Sequence, residues 1–236
     1  MINFVTLNTI VTDLLNIIRS SKISRSESIS KRQIEMWVHQ YRSLLVKQDI
    51  DKNKMPNPDY IQELPALLLE VVDQSEGTDL DSETYLLRTV LELPKTIDFN
   101  FKPGFTFVGT IDDHEIQLVP QGRSKWQKYK KYTHNDPVAY LKSRRLHIEC
   151  PKQFSPIQHI SPRGIFEVPT EVGNFRNTHA DYTFAGWDTQ YPIPTNMVPT
   201  LKEMILKKEL GITVQSYSDT TNDSAGIVQP NVEQKQ

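Results

Sequence analysis

Apolar residues recur at helical spacing from the start of the chain. Phe4, Leu7, Ile10, Val11, Leu14, Leu15, Ile17 and Ile18 line one side of a helix predicted over about 7–20. A basic, serine-rich turn, "RSSKISRSES", follows. In "ISKRQIEMWVHQYRSLLVKQ", Ser30 stands as N-cap and Gln33 at N3, which makes a capping box. Ile29 and Ile34 take the positions of a hydrophobic staple. A second helix is therefore predicted over about 30–48, ended by "DIDKNKMPNP". Ile34, Trp37, Tyr41, Leu44 and Leu45 form its expected apolar face, with Arg32, Gln33, Glu35, His39 and Gln40 off it.

Between residues 60 and 150 the period shortens. "ALLLEVVD", "YLLRTVLELP", "TFVGTI", "EIQLV", "VAYL" and "RLHIE" are short apolar runs bounded by Pro, Gly, Asp or Asn, the pattern of strands. Hairpins are expected to turn at Asp112-Asp113 and at Ser143-Arg144, although neither pair has the Asn-Gly or Asp-Gly chemistry that favours such turns. Seven prolines from Pro151 to Pro199 predict a stretch, over about 151–195, that crosses the surface in extended form. A closing helix is predicted over about 196–209. Pro199 is tolerated in its first turn, where no intrahelical N–H partner is lost. Its apolar stripe is Met197, Leu201, Met204 and Ile205. Residues 211–236 form a polar tail with too little apolar surface to offset its ordering entropy alone. The expected class is α+β: an N-terminal helical hairpin or bundle, a β-rich middle, a C-terminal helix and an extended C-terminal arm. Residues 1–210 make one unit and 211–236 the tail.

Composition narrows the function. A net charge of −2 over 236 residues argues against a global grip on nucleic acid and leaves room for a local patch. Fifteen prolines against nine glycines favour stiff extended segments over flexible linkers. Cys150 stands alone, so no intramolecular disulfide forms, which fits assembly in a reducing compartment. Asp13 interrupts the first apolar run and no basic segment precedes it, so a signal peptide is not expected. No apolar run approaches the roughly 20 residues of a membrane span.

The chain carries no phosphate-binding glycine loop, dinucleotide fingerprint, nucleophile elbow or zincin motif. His147, Cys150 and His159 are not spaced like a closed zinc site. Asp79 and Asp81 lie in an acidic loop without a base beside them, and "DDHE" at 112–115 reads as a solvated turn. No catalytic, metal or cofactor site is expected, and an enzyme is not. One stretch stands out. "GRSKWQKYKKY" places Arg123, Lys125, Lys128, Lys130 and Lys131 among Trp126, Tyr129 and Tyr132. Cations interleaved with aromatic platforms suit single-stranded nucleic acid, the basis of an alternative reading as a nucleic-acid-binding accessory protein. The same pattern also fits a hairpin whose rings face the core while its lysines stay wet. A third possibility uses the seven carboxylates between Glu63 and Glu83, a span free of Lys and Arg. They can meet the basic stretch of a neighbouring copy, head to tail, or of the same subunit.

The segments "QIEMWVHQYRSLLVKQ", "LPKTIDFNFKPGFTFVGTID", "SKWQKYKKYTHNDPVAYLKSRRLHIE" and "YPIPTNMVPTLKEMILKKEL" resemble, in this order, head-to-tail connector proteins of tailed bacteriophages. The likeness is nearest to ring proteins of crAss-like phages of gut bacteria and extends over about 1–210. It implies a virion structural protein, assembled in the host cytoplasm, that forms a ring beneath the portal, usually of twelve copies. Such a ring extends the DNA channel and docks tail components. Its partners would be its own copies, the portal and other ring or tail proteins, with transient contact to passing duplex and none to membrane. Within that picture Trp37, Tyr41, Met197, Leu201, Met204 and Ile205 are candidate interface residues. Arg123, Lys125, Lys128, Lys130 and Lys131 are a candidate basic patch facing a neighbour or the channel. The closing helix is expected to complete its packing on another subunit, and deletion of 195–236 to leave a folded core.

Overall fold

Helix α1, Leu7–Ser20, buries Leu7, Ile10, Val11, Leu14, Leu15 and Ile18, the stripe its spacing predicts. The computed structural model describes residues 5–20, 29–72, 84–99, 102–152, 157–175 and 187–211. The basic turn, most of the acidic stretch and nearly all of the polar tail lie outside the described residues. Helix α2, Lys31–Asn53, starts at Ser30, whose side chain accepts from the Gln33 N–H at 3.2 Å. Ser30→Ala is expected to lower stability by about 1 kcal/mol, read as a shift in the urea midpoint at unchanged slope. The helix runs past residue 48 to a left-handed Lys54, with φ of 63°, whose N–H returns to the Ile50 carbonyl. "DIDKN" stays helical, helped by the bond from Asn53 Nδ2 to Asp49 Oδ1, and the chain leaves the helix only before the prolines at 56 and 58.

The buried ridge of α2 differs from the expected one. Ile34, Val38, Arg42, Val46 and Ile50 follow one another at intervals of four and all are buried, whereas Leu44 is exposed. The helix is covered from two sides, so its buried arc is wider than one amphipathic stripe and takes in His39, which sequence periodicity places off the apolar face. Helix α4, Val198–Glu209, packs on α1 and α2, and Tyr191 and Ile193 complete this helical core.

The β part begins with β1, Gln62–Glu63, and β2, Leu67–Val71. Strands β3, Thr84–Thr89, β4, Phe105–Phe107, and β5, Gln117–Leu118, follow. After a short helix α3, Gln121–Ser124, come β6, Val138–Lys142, and β7, Arg145–Pro151. The last pair is β8, His159–Ile160, and β9, Arg163–Gly164. All six predicted strand runs therefore contain a strand. The six-stranded sheet has the order β5-β6-β7-β3-β2-β8, and a smaller sheet the order β1-β9-β4. Strands β6 and β7 form the hairpin expected at Ser143-Arg144. Both residues sit at positive φ, 50° and 60°, the backbone a two-residue hairpin demands, reached here without glycine. The second expected turn also forms: the Asp113 N–H reaches the Thr110 carbonyl, and Gly109 bridges Glu115.

The proline-rich stretch does not simply cross the surface. It supplies β8, β9 and a 3₁₀ segment at Pro169–Phe175, and it buries Ile160, Ile165 and Phe166 completely. Proline removes only its own N–H, so the residues between prolines still pair. Gly164 thus sits between β1 and β4. Gly104 is required where this strand passes: a Cβ there would lie 2.2 Å from the Ile97 carbonyl oxygen. Below the sheet, Leu87, Leu93, Leu146, Ile148, Ile160 and Phe166 form the β core. Val46 and Ile50 of α2 meet Tyr60, Ile97 and Ile165 in a third cluster that joins the two halves.

Candidate interaction surface

Strands β5 and β6 are parallel, with Gln117 opposite Val138 and Leu118 opposite Ala139. A parallel pair cannot be joined by a tight turn and needs a crossover of a dozen or more residues. Residues 119–137 are that crossover, and they contain the whole basic-aromatic stretch. Helix α3 packs on β6, with Ser124 buried beneath it. The chain then winds through successive three-residue turns: Trp126 N–H to the Arg123 carbonyl, Tyr129 N–H to Trp126, Lys130 N–H to Gln127. Gln127 is buried, and its Nε2 donates to the Thr133 carbonyl, which ties the far end of the loop down.

This winding decides where the rings go. Residues three apart eclipse one another in 3₁₀ geometry. Trp126 and Tyr129 consequently share a side, their ring centroids 5.8 Å apart. Trp126 is 66% exposed, Tyr129 70% and Tyr132 84%. The segment is not a hairpin with inward-facing rings; the rings and the cations are displayed together. Arg123, Lys125, Lys130 and Lys131 are exposed. Lys128 lies in the 3₁₀ turn Gln127–Tyr129. Lys130 Nζ donates to Gln117 Oε1 at 3.2 Å, and Lys131 Nζ stands 5.2 Å from the Tyr132 ring centroid. Behind the crossover, burial pushes the Glu149 carboxyl above its ordinary range, while Ser124 and the Lys125 charge act the other way. On the same sheet face His147 stacks on Tyr140 at 5.3 Å, and Glu70 bridges Arg88 at 2.5 Å and Arg145 at 3.7 Å.

The candidate interface residues are placed differently. Leu201 and Ile205 have no exposed surface and Trp37 is buried with them, all in the chain's own helical core. Those three do not wait for another subunit. The partner that sequence inspection could not supply is α1, nearly two hundred residues away. Tyr41, Met197 and Met204 are half-buried at the rim, with the Tyr41 hydroxyl donating to Glu209 Oε1 at 2.6 Å.

Two residues unmarked by sequence organise the joint between the halves. Arg42 is fully buried; its Nε donates to the Pro192 carbonyl at 2.8 Å and its Nη1 to the Phe166 carbonyl at 2.9 Å. Its guanidinium carbon lies 5.6 Å from the Tyr191 ring centroid. One turn back, His39 Nδ1 is 2.8 Å from the Tyr191 hydroxyl. Burial, then the Arg42 charge, push the His39 pKa down to about 4. The unfolded chain therefore binds this proton near its ordinary pKa of about 6.5 and the folded chain does not. Stability should fall as pH drops from about 6.5 towards 4, by up to about 3 kcal/mol, and His39→Gln should flatten that slope in urea titrations across the range.

Among the described residues no group of three or more His, Cys, Asp or Glu is arranged to hold a metal ion, and no helix is long and apolar enough to cross a membrane. What the surface offers is contact chemistry: cations, indole and phenol rings on a firmly tied loop. No curated protein matches the chain. A family model described as phage tail ring protein 2 matches residues 9–234, nearly the whole length. With helices at both ends, a curled β middle and a match of that extent, the chain belongs to the phage tail ring protein 2 family, structural proteins and not enzymes.

Proposed function

We propose that copies of this chain form a ring in the head-to-tail connector, below the portal, where the ring lengthens the DNA channel and gives tail components a surface to dock on. The observation that carries this reading is the family match over residues 9–234. A ring protein contacts its own copies, so self-association is part of the assignment, and the closed fold described above suits a rigid wall segment. The order of segments shared with connector proteins supports the position next to the portal. The chain would then be a component of the virion, assembled in the host cytoplasm, and twelve copies would match the usual symmetry of such rings.

Averaged electron images of intact particles, with this chain traced in the density, test the proposal. The expected result is one closed ring of identical copies around the channel between portal and tail. Particles that lack the chain, or that carry it at a site away from the channel, would overturn it.

A further inference from the structure

A cleft of about 550 Å³ opens between α2 and the segment after β9, with Arg32, Glu35, Met36, His39, Gln40 and Glu167 among its lining. Its two walls are clamped together. Ser43 Oγ lies 2.9 Å from the His39 carbonyl and 3.2 Å from the Glu167 carbonyl. The Glu167 N–H donates to the Lys95 carbonyl at 2.8 Å. His39 is only 7% exposed, and its Nε2 makes no hydrogen bond among the described residues, while Nδ1 is taken up by the Tyr191 hydroxyl. Glu35 Oε1 stands 3.7 Å from that nitrogen, beyond hydrogen-bond reach. Buried polar atoms are nearly always paired, so an unpaired one lining a cleft marks where a group from outside belongs. Met36, 50% exposed, gives the same cleft an apolar edge.

The lining defines what fits. An imidazole nitrogen donates or accepts according to its tautomer, and a hydroxyl satisfies it either way. A methionine thioether favours the edge of an aromatic ring. The carboxylates of Glu35 and Glu167, against the one cation Arg32, favour positive charge beside that ring. Tyr132 on the crossover combines these features: it is 84% exposed, and Arg123, Lys130 and Lys131 are exposed on the same loop. Topology keeps ring and cleft apart within one subunit. The crossover enters β6 at Val138, opposite Glu149. The cleft wall hangs from the other end of that hairpin, where the Leu93 N–H donates to the Arg144 carbonyl and the chain runs on to Lys95. Ring and cleft therefore lie toward opposite ends of the β6-β7 hairpin, the placement a head-to-tail contact needs.

We propose that neighbouring copies join through this pair of surfaces: Tyr132 of one copy inserts into the cleft between α2 and residues 167–170 of a second copy, where its hydroxyl meets His39 Nε2. The phenol ring lies along Met36, and the crossover cations approach Glu35 and Glu167. The contact is heterologous, so repetition generates a ring when the rotation closes. Tyrosine suits the centre of such a contact, since it brings apolar area with one polar tip. This inference rests on the ring reading above and adds the residues that join the copies.

Disulfide trapping in isolated tails, in which the copies are already assembled, tests it. Gln40→Cys and Lys131→Cys place thiols at exposed positions beside the contact, and the native Cys150 is 1% exposed and stays out of reach. Tails built from the doubly substituted chain should give, on mild oxidation, a ladder of reducible oligomers joined between positions 40 and 131. Either substitution alone should give none, and adding Tyr132→Ala should abolish the ladder at an unchanged urea midpoint of the free chain. A 40–131 disulfide confined to the monomer band would overturn the contact. So would a mixed disulfide from position 40 to a different tail protein. Oligomers captured by an amine-specific cross-linker without the 40–131 bond would overturn the contact and leave the ring standing, whereas no captured oligomer at all would overturn both. Unsubstituted tails give a second reading: peroxide should oxidise Met36 readily in the free chain and lose most of that reactivity in tails. Equal rates in the two would overturn the contact.

Discussion

Arg42→Ala should cost about 3–5 kcal/mol, a large fraction of the stability of an ordinary domain. The side chain is fully buried and pairs with no carboxylate among the described residues; it donates to the Pro192 and Phe166 carbonyls and lies over the Tyr191 ring. Truncation strands both carbonyls in the interior, each at about 1–3 kcal/mol, and opens a cavity where the guanidinium stood. Arg42→Lys should recover only part of the loss, since an ammonium is a point donor and cannot span two carbonyls as a planar fork does. The measurement is the urea midpoint of the full chain, with exposed Arg32→Ala as control, expected within about 0.5 kcal/mol of wild type. Equal effects at positions 32 and 42 would show that the buried arginine does not tie the halves together.

Ending the chain at Pro194 should abolish the native state altogether. Val198, Leu201, Ile205 and Leu206 of α4 are buried against α1 and α2. At about 1.5–3 kcal/mol for each buried aliphatic side chain, their loss amounts to about 6–12 kcal/mol, comparable to the total stability of a domain. The truncated chain should elute as aggregate and lose its near-ultraviolet dichroism. A chain ended after Gly211 keeps all of these contacts and should remain folded. A monodisperse, well-packed 1–194 fragment would return α4 to the role of an arm that packs elsewhere, the role its stripe suggests when read alone.

The contrast between α4 and α1 shows what a sequence can convey. Period and caps are local, so α1, the Ser30 cap, the six strand runs and the Ser143-Arg144 turn were all legible. Partnership is not local. The stripe of α4 looks unfinished because the residues that cover it, such as Ile10 and Leu14, lie at the other end of the chain. Arg42 was invisible for a related reason: a cation within a helix is read as solvated unless two carbonyls from distant segments are known to wait for it. The basic-aromatic stretch was legible as unusual, but the direction of its rings was not. Hydropathy turns Trp126 and Tyr129 inward; the parallel pairing of β5 with β6, which no local pattern announces, forces the crossover that turns them outward.

The ridge of α2 has a mechanical corollary. Ile34 and Val38 are keyed into the helical core, and Val46 and Ile50 into the cluster shared with the sheet. Both ends of one rod are thus mortised into different blocks, and neither block can loosen without wrenching the other. A ring component under load gains from such joinery: strain arriving at one face is spread through the whole body, and the piece yields all at once or not at all.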